Sequence, residues 1–284
     1  MSNQTISVVI PTRNRAPYLK RTLDALLQDN YPYKEIIVVD GASTDGTLEV
    51  LESYGDLIRW ISEPDKGEYD ARNKGLLMAT GELFRYLNDD DVPIPGAFAY
   101  AAQYFESHPD VDILFGQGDL YYARYGIEPI LLRTPVCTNE SITAKNFIRR
   151  SKPVPFSETA FFRRRVIERI GLFRLDYPGA DGEYWLRSIK AGLRIEIVDE
   201  KFIRYYATDF HAMARKEKLM LLQEWQIARE YGDVFDVLYV TLAKILPGLA
   251  YIILRGPVHR LGIYPTKILA KRHLRKLKTK NFEG

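Results

Sequence analysis

Cysteine is all but missing from this chain. Cys137 stands alone among 284 residues, so neither an internal disulfide nor a thiolate-built metal cluster is available, as suits a reducing cytosol. Internal repeats and low-complexity tracts are absent too. The N-terminal residues Met1-Ser2-Asn3-Gln4-Thr5 are polar and lead straight into a strand, so no secretory signal is expected. The loop after that strand, Pro11-Thr12-Arg13-Asn14-Arg15-Ala16-Pro17, contains no glycine. Such a loop is ill suited to cradling a triphosphate on backbone amides, which argues against a nucleotidyltransferase. Long hydrophobic runs are scarce as well. The most apolar stretch, 237–254, places Leu238, Leu242, Ile245, Leu246, Leu249 and Ile252 on one helical face, but Lys244 and Pro247 interrupt it. Its length is barely enough to span a bilayer. A helix lying in the membrane interface fits better, with a helix packed on the main domain as the alternative.

The formal net charge of +3 hides an uneven distribution. From Arg255 to Gly284 nine Lys/Arg face Glu283 alone, a balance of +8 that leaves residues 1–254 at −5. An acidic body with a basic tail does not resemble a nucleic-acid reader. It fits peripheral contact with an anionic membrane surface through 237–280. With 46% hydrophobic and 27% charged residues, the chain is globular and long enough for one large domain plus an appendage.

The β-branched run Ile6–Ile10, stopped by Pro11, predicts a buried strand, and a helix follows from about Pro17 with Leu19, Leu23, Leu26 and Leu27 on one face. Glu35–Asp40 and Leu57–Ile61 read as further strands, with a helix through Leu48, Val50 and Leu51 between them and another over Glu68–Ala79. Asp45 and Thr47 are read as helix caps. Strand and helix alternating in pieces of this size imply βαβ units and a parallel sheet, whose ligands bind beyond the strands' carboxyl ends. After Asp91 the pattern is less regular. A helix over Pro95–Ser107, strands at Val111–Phe115 and Thr159–Phe162, a helix containing Trp185, and two short strands at Leu193–Val198 and Phe202–Tyr206 are expected. The chain from Ala212 to Tyr231 reads as a helix.

Leu83, Phe84, Tyr86 and Leu87 form a buried strand that ends in Asn88-Asp89-Asp90-Asp91. Three adjacent carboxylates repel one another, so positive charge should sit beside them unless they form a solvated turn. A hard divalent cation carrying a ligand's phosphates is the most economical candidate. Asp40 ends a strand of the same sheet and so shares this rim.

Four stretches together resemble the family 2 glycosyltransferases. They are Val8–Arg15, Val39-Asp40-Gly41-Ala42-Ser43-Thr44-Asp45-Gly46-Thr47, Ser62–Gly75 (containing Asp65 and Ala71-Arg72-Asn73-Lys74-Gly75), and Leu87-Asn88-Asp89-Asp90-Asp91. The likeness covers roughly residues 5–210. It implies an α/β fold of the GT-A (Rossmann-like) type, a mostly parallel sheet with flanking helices, followed by a helical, basic C-terminal extension. The implied division is 1–211 for the catalytic domain, with a nucleotide-binding half at about 1–92 and an acceptor half at about 93–211, then 212–284.

The resemblance also implies chemistry: transfer of a sugar from a UDP- or GDP-linked donor to a hydroxyl of a carbohydrate or lipid-linked glycan, with inversion. Such a site needs a cation for the diphosphate and a carboxylate base for the hydroxyl. By the family pattern Pro11, Thr12, Asp40 and Asp65 line the nucleoside pocket. Arg72, Asn73 and Asp90 lie by the diphosphate, and Asp89 and Asp91 hold Mg²⁺ or Mn²⁺. In Ala180-Asp181-Gly182-Glu183-Tyr184-Trp185-Leu186-Arg187, Asp181 falls on the base, with helix capping as the alternative.

Three departures stand out. Ala180 replaces the usual acid before the base, Gly182 replaces a bulkier residue, and Glu158 stands where relatives often carry an amide and is expected to face the acceptor cleft. The Q-x-x-R-W signature of processive synthases is missing, so one transfer per binding event is expected. His211 is a candidate metal ligand by the family pattern, with a surface position as the alternative; His108, His259 and His273 read as solvated. The altered surroundings of Asp181 keep one rival open, a scaffold that binds nucleotide-sugars without turnover. The expected setting is the cytoplasm, peripheral on the cytoplasmic face of the inner membrane, in surface polysaccharide or glycolipid assembly.

Overall fold

The computed structural model describes residues 3–124, 127–133, 136–177, 179–207 and 217–246. Strands β1 (Ile6–Thr12), β2 (Lys34–Asp40), β3 (Arg59–Ser62) and β4 (Leu83–Tyr86) pair in parallel in the order β3-β2-β1-β4. Helices α1 (Ala16–Gln28), α2 (Thr47–Ser53) and α3 (Glu68–Met78) make the crossovers. Strand order reverses between β1 and β4, so the ligand crevice of a parallel sheet opens where Thr12 and the Asp89–Asp91 stretch leave their strands.

Beyond β4 the sheet is mixed. β5 (Val92–Pro93), β6 (Ile113–Arg124), β7 (Ile127–Arg133), β8 (Ala160–Arg163) and β9 (Ile195–Ala207) extend it. β8 lies antiparallel between β4 and β6; β6 runs parallel to β9, while β7 and β5 pair antiparallel to β6 and β9. The two short strands expected over Leu193–Val198 and Phe202–Tyr206 are one long strand with an excursion. Phe115 pairs with Ile197 but Gln117 with Lys201, so β9 carries extra residues around Asp199-Glu200, whose polarity reads locally as a turn.

Alternation along the strands builds two cores. Val9, Ile37, Val39, Phe84, Phe115 and Phe162 face one side with α3, α5 (Ala144–Arg149), α6 (Arg164–Ile170) and α7 (Ala180–Lys190). Val8, Ile10, Val38, Leu83, Leu114 and Phe161 face the other, with α1, α2 and α4 (Ala97–Ser107). Helices α8 (Glu217–Tyr231) and α9 (Val234–Val240) join the first core through Ile227, Ala228 and Val240. Arg149 Nε meets Asp236 Oδ1 at 2.5 Å, pinning α9 to α5. Among the described residues no helix is long and apolar enough to cross a membrane. His211 and residues 247–284, with the basic tail, lie outside the described residues.

α3 sits close on β1 because residue 75 has no side chain: a Cβ there would meet Val9 Cγ1 at 2.3 Å. Alanine would gain about 1 kcal/mol of helix propensity. Overpacking costs about 1–3 kcal/mol, and an approach of 2.3 Å to fully buried Val9 belongs at the upper end of that range, about 2–3 kcal/mol, so the clash decides the sign. Gly75→Ala is therefore expected to lower stability in urea unfolding by about 1–2 kcal/mol; unchanged or raised stability would show that α3 is not seated this tightly.

Candidate active site

The acidic stretch after β4 is held from two sides. Thr12 Oγ1, at the end of β1, donates to Asp89 Oδ2 at 2.8 Å. Arg15 donates from Nε to Asp89 Oδ1 at 2.9 Å and from Nη2 to Asp90. From α1, the Thr22 hydroxyl lies 3.0 and 2.8 Å from the carbonyl oxygens of Asp89 and Asp91, and Arg21 Nη2 donates to the Asp90 carbonyl at 2.6 Å. Part of the positive charge that the triplet demands is thus a side chain, Arg15, which sequence reasoning passed over. The hint was available: Arg15 closes the same loop that begins at Pro11.

Neutralisation remains incomplete. Burial, opposed by Arg15 and reinforced by Asp90, pushes the Asp89 carboxyl up to about 6. Asp91 is fully buried, and its oxygens are reached by the Asn88 and Tyr206 amides at a long 3.4 Å each. Burial, with Glu158 and Asp90 adding to it, raises Asp91 well above the ordinary carboxylate range. Carboxylates in this condition suit a bound cation. Among the described residues no group of three or more His, Cys, Asp or Glu side chains could hold an ion. A metal on Asp89 and Asp91 would therefore need further ligands, such as a diphosphate's oxygens.

Towards the end of β1, Pro11 is buried in register with Val39. Asp40 is buried and accepts from Ser43 N at 2.9 Å, Ser62 Oγ at 2.6 Å and the Ser43 hydroxyl. Asp65 accepts from Gly67 N at 2.8 Å and lies over Gly41, where a Cβ would come within 2.3 Å of Asp65 Oδ2. The missing side chain at residue 41 leaves room for the Asp65 carboxylate in this position. Asn14 ties the two loops together: its N–H donates to Ser43 Oγ, and its Oδ1 accepts from Thr44 N, both at 2.7 Å. Asp45 reaches the first residues of two helices, accepting from Thr47 N at 3.0 Å and Ala16 N at 3.2 Å, though the cap positions themselves are Gly46 and Arg15.

The opposite wall comes from α3, α7 and the turn Ser157–Thr159. Arg72 is buried, with its guanidinium 4.0 Å over the Tyr86 ring. Its Nη2 donates to Glu68, to Asn88 Oδ1 at 2.9 Å and, at 3.4 Å, to Glu158 Oε1. Its Nε and Nη1 have no partner and are closed to the surface, an unusual state for a buried guanidinium. Asn73 is differently employed. Its Nδ2 donates to Phe173 O at 2.8 Å and its Oδ1 accepts from Phe173 N at 2.9 Å, joining α3 to the segment before α7.

Asp181 lies in the first turn of α7 and is gripped by two hydroxyls. Tyr69 donates to Oδ1 at 2.9 Å and Ser157 Oγ to Oδ2 at 2.7 Å. Trp185, one helical turn on, donates from Nε1 to the same Ser157 oxygen at 2.9 Å. Burial alone would raise Asp181, but Ser157, the Arg72 charge, Tyr69 and the Gly182 N–H outweigh it and hold the carboxyl below its usual range. Tyr69 could have been found from sequence, since it shares a helix face with Arg72 and Asn73. Ser157 left no such signal.

The charge state of Asp89 makes a stability prediction. Its proton is held more tightly in the folded chain, at about 6, than at the ordinary 3.8, so its contribution to stability is present below pH 3.8 and lost as pH rises through about 6. Relative to Asp89→Asn, the ligand-free protein is expected to lose on the order of 2 kcal/mol in urea unfolding between pH 4 and pH 7. Parallel pH profiles for the two proteins would contradict this.

Comparison with known proteins bears on this geometry. Residues 7–171 match the family model described as glycosyl transferase family 2. Glycosyltransferase AglE of Haloferax volcanii is 26% identical over 255 residues, covering 85% of this chain and 81% of the relative. A PGL/p-HBAD biosynthesis glycosyltransferase of Mycobacterium bovis is 25% identical over 188 residues, covering 62% of this chain and 66% of its own. Among solved structures, mannosyltransferase PcManGT of Pyrobaculum calidifontis, in complex with GDP-Man and Mn²⁺, superposes with a TM-score of 0.62 at 22% identity, covering 96% of this chain and 81% of that one. S. aureus TarS 1–349 in complex with UDP-GlcNAc gives 0.61 at 19% identity, covering 93% and 77%. These structural likenesses carry the GT-A-like fold. The family model, which spans more than half of the sequence, carries the identity: the chain belongs to glycosyl transferase family 2, and it is a glycosyltransferase.

Proposed function

We propose that the protein transfers a sugar, with inversion and in a single displacement, from a UDP- or GDP-linked donor to a hydroxyl of a carbohydrate or lipid-linked glycan. The observation that carries this reading is the placement of Asp181. A half-buried carboxylate kept ionised by Tyr69, Ser157 and the Arg72 charge lies beside Arg72, which in turn bonds Asn88 at the acidic strand end. Asp181 takes the acceptor proton as the new C–O bond forms and the hydroxyl turns acidic, so a carboxylate of low pKa suffices. Its two hydroxyl partners fix which lone pair faces the acceptor. The Arg72 charge, hydrogen-bonded to Asn88 at the acidic strand end, stabilises the departing diphosphate through its field.

Pro11, Thr12, Asp40 and Asp65 line the nucleoside side, with Asp90 held by Arg15 beside it and Asn73 shaping the wall through Phe173. Asp89 and Asp91 would hold Mg²⁺ or Mn²⁺, which when bound neutralises the diphosphate leaving group. The fold-neighbour complexes with GDP-Man and Mn²⁺ and with UDP-GlcNAc support both the donor class and the metal. Exposed Phe235, Leu238 and Leu242 near the basic tail support peripheral contact with the cytoplasmic face of the membrane.

The test is Asp181→Asn, which keeps the shape and removes the base. Turnover is expected to fall by at least about 100-fold, while UDP or GDP binds as before. Near-normal turnover would remove Asp181 from the chemistry. A wild-type protein that binds nucleotide but never turns over would favour the scaffold.

A further inference from the structure

Glu158 is buried beside the proposed site yet is assigned no part in it. Its Oε1 accepts from Asn88 Nδ2 at 3.2 Å and from Arg72 Nη2 at 3.4 Å. The neighbouring Ser157 holds Asp181, and Trp185 holds Ser157. One short turn therefore touches both the base and the phosphate-side arginine. We infer that Glu158 is a positioning residue: with Asn88 it seats the Arg72 guanidinium, so that the Ser157–Glu158 turn sets where the donor's diphosphate lies relative to Asp181. This rests on the functional reading above.

Other groups share that task. Glu68 makes the closer ion pair with Arg72, but its side chain is 40% exposed, whereas that of Glu158 is 10% exposed and packed in the site. Asn88 is neutral and is itself held by Glu158. Residue 180 is alanine, buried in the core, so α7 offers no second carboxylate at this place. Tyr86 supplies a stacking face but no hydrogen bond to the guanidinium edge. Burial, only partly opposed by Arg72 and reinforced by Asp181, pushes Glu158 up to about 7, so it is anchored by geometry whether or not it is fully charged.

Position and charge make opposite predictions here, which gives the test its edge. An anion beside a diphosphate repels it, so if charge alone mattered, any neutral residue at 158 would tighten binding. If position matters, reach decides. Calorimetric titration of the full chain with UDP and with GDP, each with Mn²⁺, measures this directly. Glu158→Ala is expected to weaken binding of whichever nucleotide the wild type takes by about tenfold, the worth of one charge-assisted hydrogen bond. Glu158→Gln, which can still accept from Arg72 and Asn88, is expected to bind at least as tightly as wild type and to keep its kcat within about threefold. Glu158→Asp keeps the anion but loses the reach, and is expected to weaken binding as alanine does; it serves in place of alanine if that variant does not fold. Alanine or aspartate binding like glutamine overturns the inference alone. So does a glutamine variant that binds normally but loses turnover, because that marks a proton-transfer group. Wild-type protein that binds neither nucleotide overturns this inference and the functional reading together.

Discussion

Carboxylates crowded at the carboxyl edge of a parallel sheet are the constraint on which the rest of the site depends. Asp40, Asp89, Asp90 and Asp91 all sit at or near strand ends, and all four are buried. Buried anions are tolerated only when paired or hydrogen-bonded. Arg15 spans Asp89 and Asp90, two serines and a backbone amide satisfy Asp40, and Thr22 holds the triplet's backbone. What these groups leave unneutralised, chiefly at Asp91, is the feature on which the proposed cation site rests.

The same edge is organised around a second buried charge of opposite sign. Arg72 sits between the triplet and Asp181, drawing on Glu68, Asn88 and Glu158 with one nitrogen and leaving two others unused. Arg85, one strand position before Tyr86, is also fully buried, donating to the Glu158 and Phe202 carbonyls and packing over Phe98 and Phe161. Burial lowers its pKa to about 9, with Asp91, Asp29 and Glu158 opposing that fall. Two guanidiniums and a ring of carboxylates thus make a charge-dense interior held by side-chain hydrogen bonds. Such preorganisation favours displacement of a charged leaving group, since little reorganisation is needed as charge develops.

Much of the parallel half was legible in the sequence. Ile6–Ile10 and Glu35–Asp40 are short β-branched runs found as strands, although β1 continues through Pro11, the expected stop, to Thr12. The triplet announced itself because like charges in sequence must be reconciled in space. The second half was harder to read. β9 conceals a bulge behind Asp199-Glu200, and β6 continues past Phe115 into polar residues that pair with β7 and β9. Within the site, residues with a motif were found and residues acting through space were not. Asp181 was expected; Ser157, 24 positions away, holds it through a contact that sequence adjacency does not report. Arg15 was visible, yet its task was hidden, because its partners lie more than 70 positions downstream. Asn73 shows the converse, a motif residue whose amide the fold spends on Phe173.

The central claim is that the acidic edge binds a nucleoside diphosphate through a cation. The most direct measurement is thermal unfolding with UDP, GDP and CMP, each with and without Mn²⁺, in wild type and Asp91→Asn. Ligand at about 100 times its dissociation constant stabilises the folded state by roughly 2.7 kcal/mol, a clear shift in melting temperature. The account predicts a Mn²⁺-dependent shift with UDP or GDP that Asp91→Asn abolishes. A shift of equal size without Mn²⁺, or one that survives in Asp91→Asn, would contradict it.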